Sequence, residues 1–446
     1  MASPPTPSTP TGLSGRRLSR FSEDFNTVTT FGASPPRCRN FGHGREPLAH
    51  LLNAHIIHHK IDGPIKQLNP TRAHFHILDE NDKAFYTQST PEFTGKWRSR
   101  DNRKGRHLLK VHAATPKPGL PKKTNHPAEI LRGVVRMFTA FPVWDISYLV
   151  AVIFTLGSIV WVINAFFVFL PLIRPSSEFH NEILYGGGIS AFVGATLFEV
   201  GSVLLLLEAV NENRTGCFGW AVERLLHQGT SNATAHVVQA EKHADSEKAI
   251  AGPSVHVRPV VPCDHHHSNR RNLVAPASDP ANARKWRWLP SWKELRTHYF
   301  RELGFLASLI QFVAATIFWI AGFTSLPGIY DHMSSGLTDG VYWTPQIIGG
   351  FGFILSGAFF MIETQMTWWK PAPSVLGWHI GFWNLIGGVG FTLCPAFGYD
   401  RSSWAQYQAS CSTFWGSWAF LIGSVIQWYE SLDKHPVEYK DGEEGE

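Results

Sequence analysis

The side chains best placed to do chemistry in this sequence are few. One carboxylate, Glu199, stands inside the apolar run "GATLFEVGSVLLLLEA", residues 194–209, and two amides, Gln311 and Asn384, lie inside apolar runs of their own. At such a depth in lipid a carboxylate costs on the order of 2.5–3.5 kcal/mol, which favours its protonated form or a polar partner. Glu199, Gln311 and Asn384 are therefore the candidate intramembrane polar site. Glu199 is expected to face the bundle interior near at least one of the amides, serving an ion, proton or ligand, or else making a purely structural hydrogen bond.

Other motifs carry less. "HIIHH" (His55, His58, His59) is a single histidine box, and no companion box follows any apolar run. "CDHHH" (Cys263, His265, His266, His267) lacks the paired ligand spacing of a structural zinc site. His379 is the one histidine inside an apolar run, so two intramembrane histidines cannot hold a haem. There is no phosphate-binding glycine loop with a following lysine and no nucleophile elbow. The sequence thus offers no catalytic constellation, no metal, no cofactor and no nucleic-acid partner, and an enzyme is the less favoured class.

The elements that would position these residues are membrane helices. Six apolar runs, at about 147–170, 186–209, 304–326, 343–364, 376–396 and 409–429, each approach the roughly 20 residues that span a bilayer. Of the 40 Lys and Arg, 38 fall on one side of the implied topology, so both termini are expected in the cytosol and the bilayer is the principal partner. The first run is expected to follow no cleaved signal and to serve as its own anchor; the secretory pathway or plasma membrane is the favoured location. The Asn213 and Asn232 sequons then lie on the side where they are not glycosylated.

Outside the spans, residues 1–44 are Pro-, Ser- and Thr-rich and read as a disordered tail, with Ser19 in "RRLS" as the candidate phosphosite. Residues 45–112 suggest a small module, in which alternating runs around Asp79–Asp82 predict a β-hairpin. It closes on the basic cluster 96–110, "KWRSRDNRKGRHLLK", which either binds anionic lipid headgroups or sets topology and solubility. Within the 113–146 linker, "PAEILRGVVRMF" has the spacing of an amphipathic helix lying on the membrane. The loop 210–303 reads as mostly disordered and 431–446 as an acidic tail.

The even-numbered runs share a spacing. Gly194, Phe198, Gly201, Ser202 and Glu208 match Gly349, Phe353, Ser356, Gly357 and Glu363, and match Gly416, Phe420, Gly423, Ser424 and Glu430. The expected fold is all-α: six transmembrane helices as three repeated hairpins, 147–209, 304–366 and 367–430. Residues seven apart share a helix face, so Gly194, Gly201, Gly349, Gly357, Gly416 and Gly423 form a packing seam. The interfacial acids Glu208, Glu363 and Glu430 are expected to snorkel and pair with Arg214, Lys370 and Lys434. The odd runs align Gly304 with Gly377 and Gln311 with Asn384.

The "F-x-x-G-S" core in "FEVGSVLLLLE" and "FLIGSVIQWYE" resembles the signature of YrhK-like membrane domains, and the whole chain resembles fungal integral membrane proteins carrying them. The fourth span departs from the pattern with Ser356 before Gly357. The resemblance implies a two-helix unit but no activity, substrate or catalytic residue.

Cys394 and Cys411 end up on the same side of the membrane, where they are either a disulfide, worth roughly 3 kcal/mol for a loop of this length, or two separate thiols. The sequence as a whole describes a multipass scaffold, sensor or accessory subunit, with a transporter or channel built on Glu199, Gln311 and Asn384 as the alternative.

Overall fold

The computed structural model describes residues 55–56, 61–76, 93–106, 108–111, 123–212, 214–219, 221–222, 225 and 286–439. Ser19, His58, His59, residues 263–267, the tail before residue 45 and most of the 210–303 loop lie outside them.

Four short strands precede the membrane part: β1 (His55–Ile56), β2 (Arg72–His76), β3 (Phe93–Arg98) and β4 (Leu108–Val111). Neighbours pair antiparallel in that order, and β5 (Val437–Tyr439), from beyond the last membrane helix, completes the sheet by pairing parallel with β4. The first of the two alternating runs, at 72–76, is a strand, paired with β1 and β3; the second, just past Asp82, lies outside the described residues. The segment read as an acidic tail supplies β5, where Glu438 pairs with Arg98 at 2.9 Å and Lys96 at 3.5 Å.

Between β3 and β4 sits α1 (Ser99–Arg103), a single helical turn. The amphipathic α2 (Pro127–Thr139) begins at His126, whose ring accepts a hydrogen bond from the Ala128 amide. Leu131, Val135 and Phe138 on α2 are exposed, while Phe138 also stacks toward Trp428 of the bundle.

Six helices are long and apolar enough to cross a membrane, and the chain is an integral membrane protein. They are α3 (Ile146–Ile173), α4 (Gly188–Val210, continuing a π-helical turn at Glu182–Gly187), α6 (Leu303–Thr324), α7 (Thr344–Thr364), α8 (Leu376–Gly398) and α9 (Ser403–Leu432); the short α5 (Trp292–Thr297) precedes α6. Each span packs on its chain neighbours, and α9 returns to α3, closing a six-membered ring.

The ring has no empty centre. Trp161, Phe198, Phe318, Phe353, Phe391 and Phe420, one from each spanning helix, are all buried together. Most of their contacts are edge-to-face, such as Trp161–Phe391 at 4.9 Å and Phe198–Phe420 at 5.4 Å, the orientation that the ring quadrupoles favour. Lipid supplies no hydrophobic drive between helices, so small residues that let backbones close up must hold such a ring. A methyl group on Gly194 would meet Trp161 at 2.8 Å, and one on Gly349 would meet Phe318 at 2.7 Å. Gly201, Gly416 and Gly423 likewise face the preceding helix. Gly357 turns the other way, with a Cβ position 2.7 Å from the Leu385 amide of α8, while Ser356 donates back to the Ala307 carbonyl at 2.9 Å. The reversed Ser–Gly order therefore exchanges which residue faces which neighbour.

Candidate functional site: a basic turn buried in the mouth of the bundle

The acids that end the even-numbered spans all face one point, and α1 fills it. Lys104 follows α1, and Gly105, at φ 62°, takes the left-handed conformation that turns the chain toward β4. Arg100 and Arg103 are one helical turn apart and so project together, with Lys104 beside them. Arg100, Arg103, Lys104 and Arg106 are each less than a tenth exposed.

The four cations meet acids supplied by three different helices. Arg103 binds Glu363 of α7 through both terminal nitrogens, at 2.7 and 2.9 Å, and Ser99 donates to the same carboxylate at 2.8 Å. Arg100 reaches Glu430 of α9 at 2.7 Å; Arg106 bridges Glu430 at 2.9 Å and Asp101 at 2.8 Å. Lys104 stands 3.5 Å from Glu208 of α4. Burial works against the charge on Arg103 and Arg106, but Glu363 for the first and Asp101 with Glu430 for the second push both guanidinium pKa values up. Burial prevails at Lys104, whose pKa is lowered.

Two glycines make room for this. A methyl group on Gly304 would collide with the Arg103 guanidinium, and one on Gly377 with that of Arg100. These are the two positions that align at the starts of the third and fifth runs, so the alignment reflects passage of arginines past the helix ends.

The expected local pairing of the acids is thus replaced. Lys434 goes instead to Asp145 at 2.8 Å and to the Lys104 carbonyl at 2.9 Å, and the 99–106 part of the basic cluster points inward to acids instead of outward to headgroups. Glu363 lies 260 residues beyond Arg103 and Glu430 lies 330 beyond Arg100, which hid the match from any local reading.

Two members of the candidate intramembrane triad take hydrogen-bond partners outside it. Phe198 occupies the ring centre, and Glu199, 100° further round the helix, turns to the α4–α6 flank, where it accepts a hydrogen bond from Thr316 at 3.0 Å. Gln311 lies five residues, about 7 Å, along α6 from Thr316 toward the basic turn. Asn384 donates to the Ile380 carbonyl of its own helix at 2.7 Å. The better-buried intramembrane amide is Asn164, which donates to the Gly187 carbonyl at 2.6 Å and to Ser190 at 3.0 Å, satisfying the π-helical entry to α4. Cys394 and Cys411 are free thiols. Cys394 faces Thr413, two residues and so about 200° round α9 from Cys411. His379 Nε2 donates to the Pro373 carbonyl at 2.7 Å and has no second intramembrane histidine among the described residues.

Against the basic turn lies a second cluster. The His298 Nε2 is 3.0 Å from Glu302 Oε1 and 3.8 Å from Glu212 Oε1, and Asn102 of α1 donates to Glu212 Oε2 at 2.8 Å. Burial would lower the His298 pKa, but Glu302 and Glu212 raise it to about 9. Comparisons of the chain with protein-family models, with curated proteins and with solved structures found no match.

Proposed function

We propose that the protein is a membrane scaffold or sensor, in which a six-helix ring serves as the rigid seat for a sheet module rather than as a conduit. The aromatic filling of the ring centre carries this reading: six large side chains occupy the place a solute would have to pass, and the buried basic turn closes one mouth. A transporter instead needs ionisable or amide groups converging on a cavity at mid-depth, whereas Glu199 and Asn384 each hydrogen-bond to a partner outside the three.

In this reading the charge bias sets the module, both termini and the basic turn in the cytosol, in a secretory-pathway or plasma membrane. The exposed apolar face of α2 rests on the bilayer surface beside them. The three hairpins descend from one repeated unit, similar to a YrhK-like two-helix domain. The matched places of Phe198, Phe353 and Phe420, and of Glu208, Glu363 and Glu430, support that origin.

Proteoliposomes provide the test. Reconstituted protein is expected to leak protons, potassium and small anions no faster than protein-free vesicles, and shortening Phe198 and Phe391 together to alanine is expected to open a measurable leak. Flux by the unaltered protein that E199Q abolishes would replace the scaffold reading with the transporter.

A further inference from the structure

The second cluster has the make-up of a metal site. Glu212 leaves the end of α4, while His298 and Glu302 bracket the 3-10 turn Tyr299–Arg301 that leads into α6. One imidazole and two carboxylates each present a ligand atom, all within 4.8 Å of one another. A tetrahedral zinc-class ion with bonds of about 2.0–2.2 Å holds its ligands roughly 3.3–3.5 Å apart. The observed 3.0 and 3.8 Å lie on either side of that spacing.

Two further observations point to a ligand here. Glu212 and Glu302 line a small cavity of about 10 Å³, enough for roughly one water. Thr71, 2% exposed, lines the same cavity, and its hydroxyl has no hydrogen-bond partner. A buried hydroxyl left unpaired is costly, and a metal-bound water would pair it. Asn102 in turn orients Glu212, as the outer partners of metal ligands commonly do.

We propose that Glu212, His298 and Glu302 bind one divalent transition-metal ion of the zinc class, whose fourth position is a water held by Thr71. Glu212 and Glu302 come from the two ends of the long connection between α4 and α6. The ion would therefore clamp that connection against α1, a role independent of whether the ring conducts solute.

The test uses the full chain without a histidine tag, purified in detergent, stripped with a chelator and titrated with Co²⁺. One equivalent is expected to bind, with the visible absorption of a low-coordinate nitrogen and oxygen site, and Zn²⁺ is expected to displace it. H298Q and E302Q should each abolish this binding. N102A should weaken it about 10-fold, and the triple variant H265N/H266N/H267N should leave it intact. If H298Q does not fold, E302Q, which keeps the side-chain shape, and X-ray absorption counting a single imidazole on the unaltered chain decide the matter. Folded protein that takes up neither ion at micromolar concentration, or uptake that disappears with residues 265–267 and survives E302Q, overturns the proposal.

Discussion

Arg103 and Glu363 meet through two parallel hydrogen bonds, of 2.7 and 2.9 Å, although they belong to different parts of the chain and neither reaches solvent. Removing one member of such a pair strands the other as a buried charge, typically at a cost of 3–5 kcal/mol, whereas apolar replacement of both is often near neutral. R103M and E363M are each expected to lower the unfolding temperature sharply, and the double variant to recover most of the loss. Additive losses in a double-mutant cycle in detergent would show that the pair is not coupled.

Gly304→Ala tests the passage of Arg103 past the start of α6. The added methyl occupies the guanidinium's place, so about as much stability should be lost as in R103M, and little more should be lost when the two are combined. Gly336→Ala, where a methyl meets nothing within 4 Å, is the control. Full stability of G304A by thermal melting would count against the passage.

The glycines of the ring should differ in a predictable order. At Gly357 the obstacle is the Leu385 backbone at 2.7 Å, which cannot move alone; at Gly423 the nearest atoms are side-chain atoms of Asn384 and Trp383 at 3.3 Å. G357A is therefore expected to cost about 1–3 kcal/mol, and G423A less than half of that. Unfolding in graded mixtures of mild and denaturing detergent measures both, and the reverse order would contradict the assigned helix contacts.

E199Q should leave folding unchanged, because the amide oxygen still accepts from Thr316 and the side chain stays on the flank. T316V, which removes the hydrogen bond to that oxygen, should cost about 0.5–1.5 kcal/mol. A larger loss from E199Q than from T316V, again by unfolding, would indicate that the carboxylate has a further role.

The docking of β5 should weaken in acid. Burial opposes the charge on Glu438, but Arg98 and Lys96 more than offset it and hold its pKa below the ordinary carboxylate value. The folded state thus binds the proton less readily than the unfolded one. The resulting stabilisation is complete above the ordinary carboxylate range and disappears as pH falls through the lowered folded value. Hydrogen exchange at Val437–Tyr439, corrected for intrinsic rates, should accelerate on acidification in the unaltered chain and lose that dependence in E438Q.

Periodicity and length made the spans legible, because apolar runs of about 20 residues have few alternatives and the six spanning helices fall close to where the runs lie. The positions of Phe198, Phe353 and Phe420 were readable from their shared spacing. Their companions Trp161, Phe318 and Phe391 were recoverable too, since each lies 14 residues beyond Ser147, Gly304 and Gly377. The basic turn was visible only as charge. Its burial depends on acids supplied by three distant helices, and a cation in sequence looks the same whether it faces a headgroup or a carboxylate. Glu199 was misread because depth alone says nothing about which way round a helix a side chain points. His298 and Glu302 escaped notice because their partner Glu212 lies across a long connection, so no short motif contains all three.

The pairing of β4 with β5 also sets an order of events during synthesis. At roughly 5–20 residues per second, the 330 residues separating Arg100 from Glu430 take about 15–65 s to emerge. Throughout that interval the sheet has an open edge and the basic turn lacks its last acid, so the first-made part of the protein must wait for the last helix to be inserted. The edge is a template for stray strand pairing until then, and any chain interrupted before β5 carries it permanently. Completion of the sheet is thus a report, made at one membrane face, that all six helices are in place.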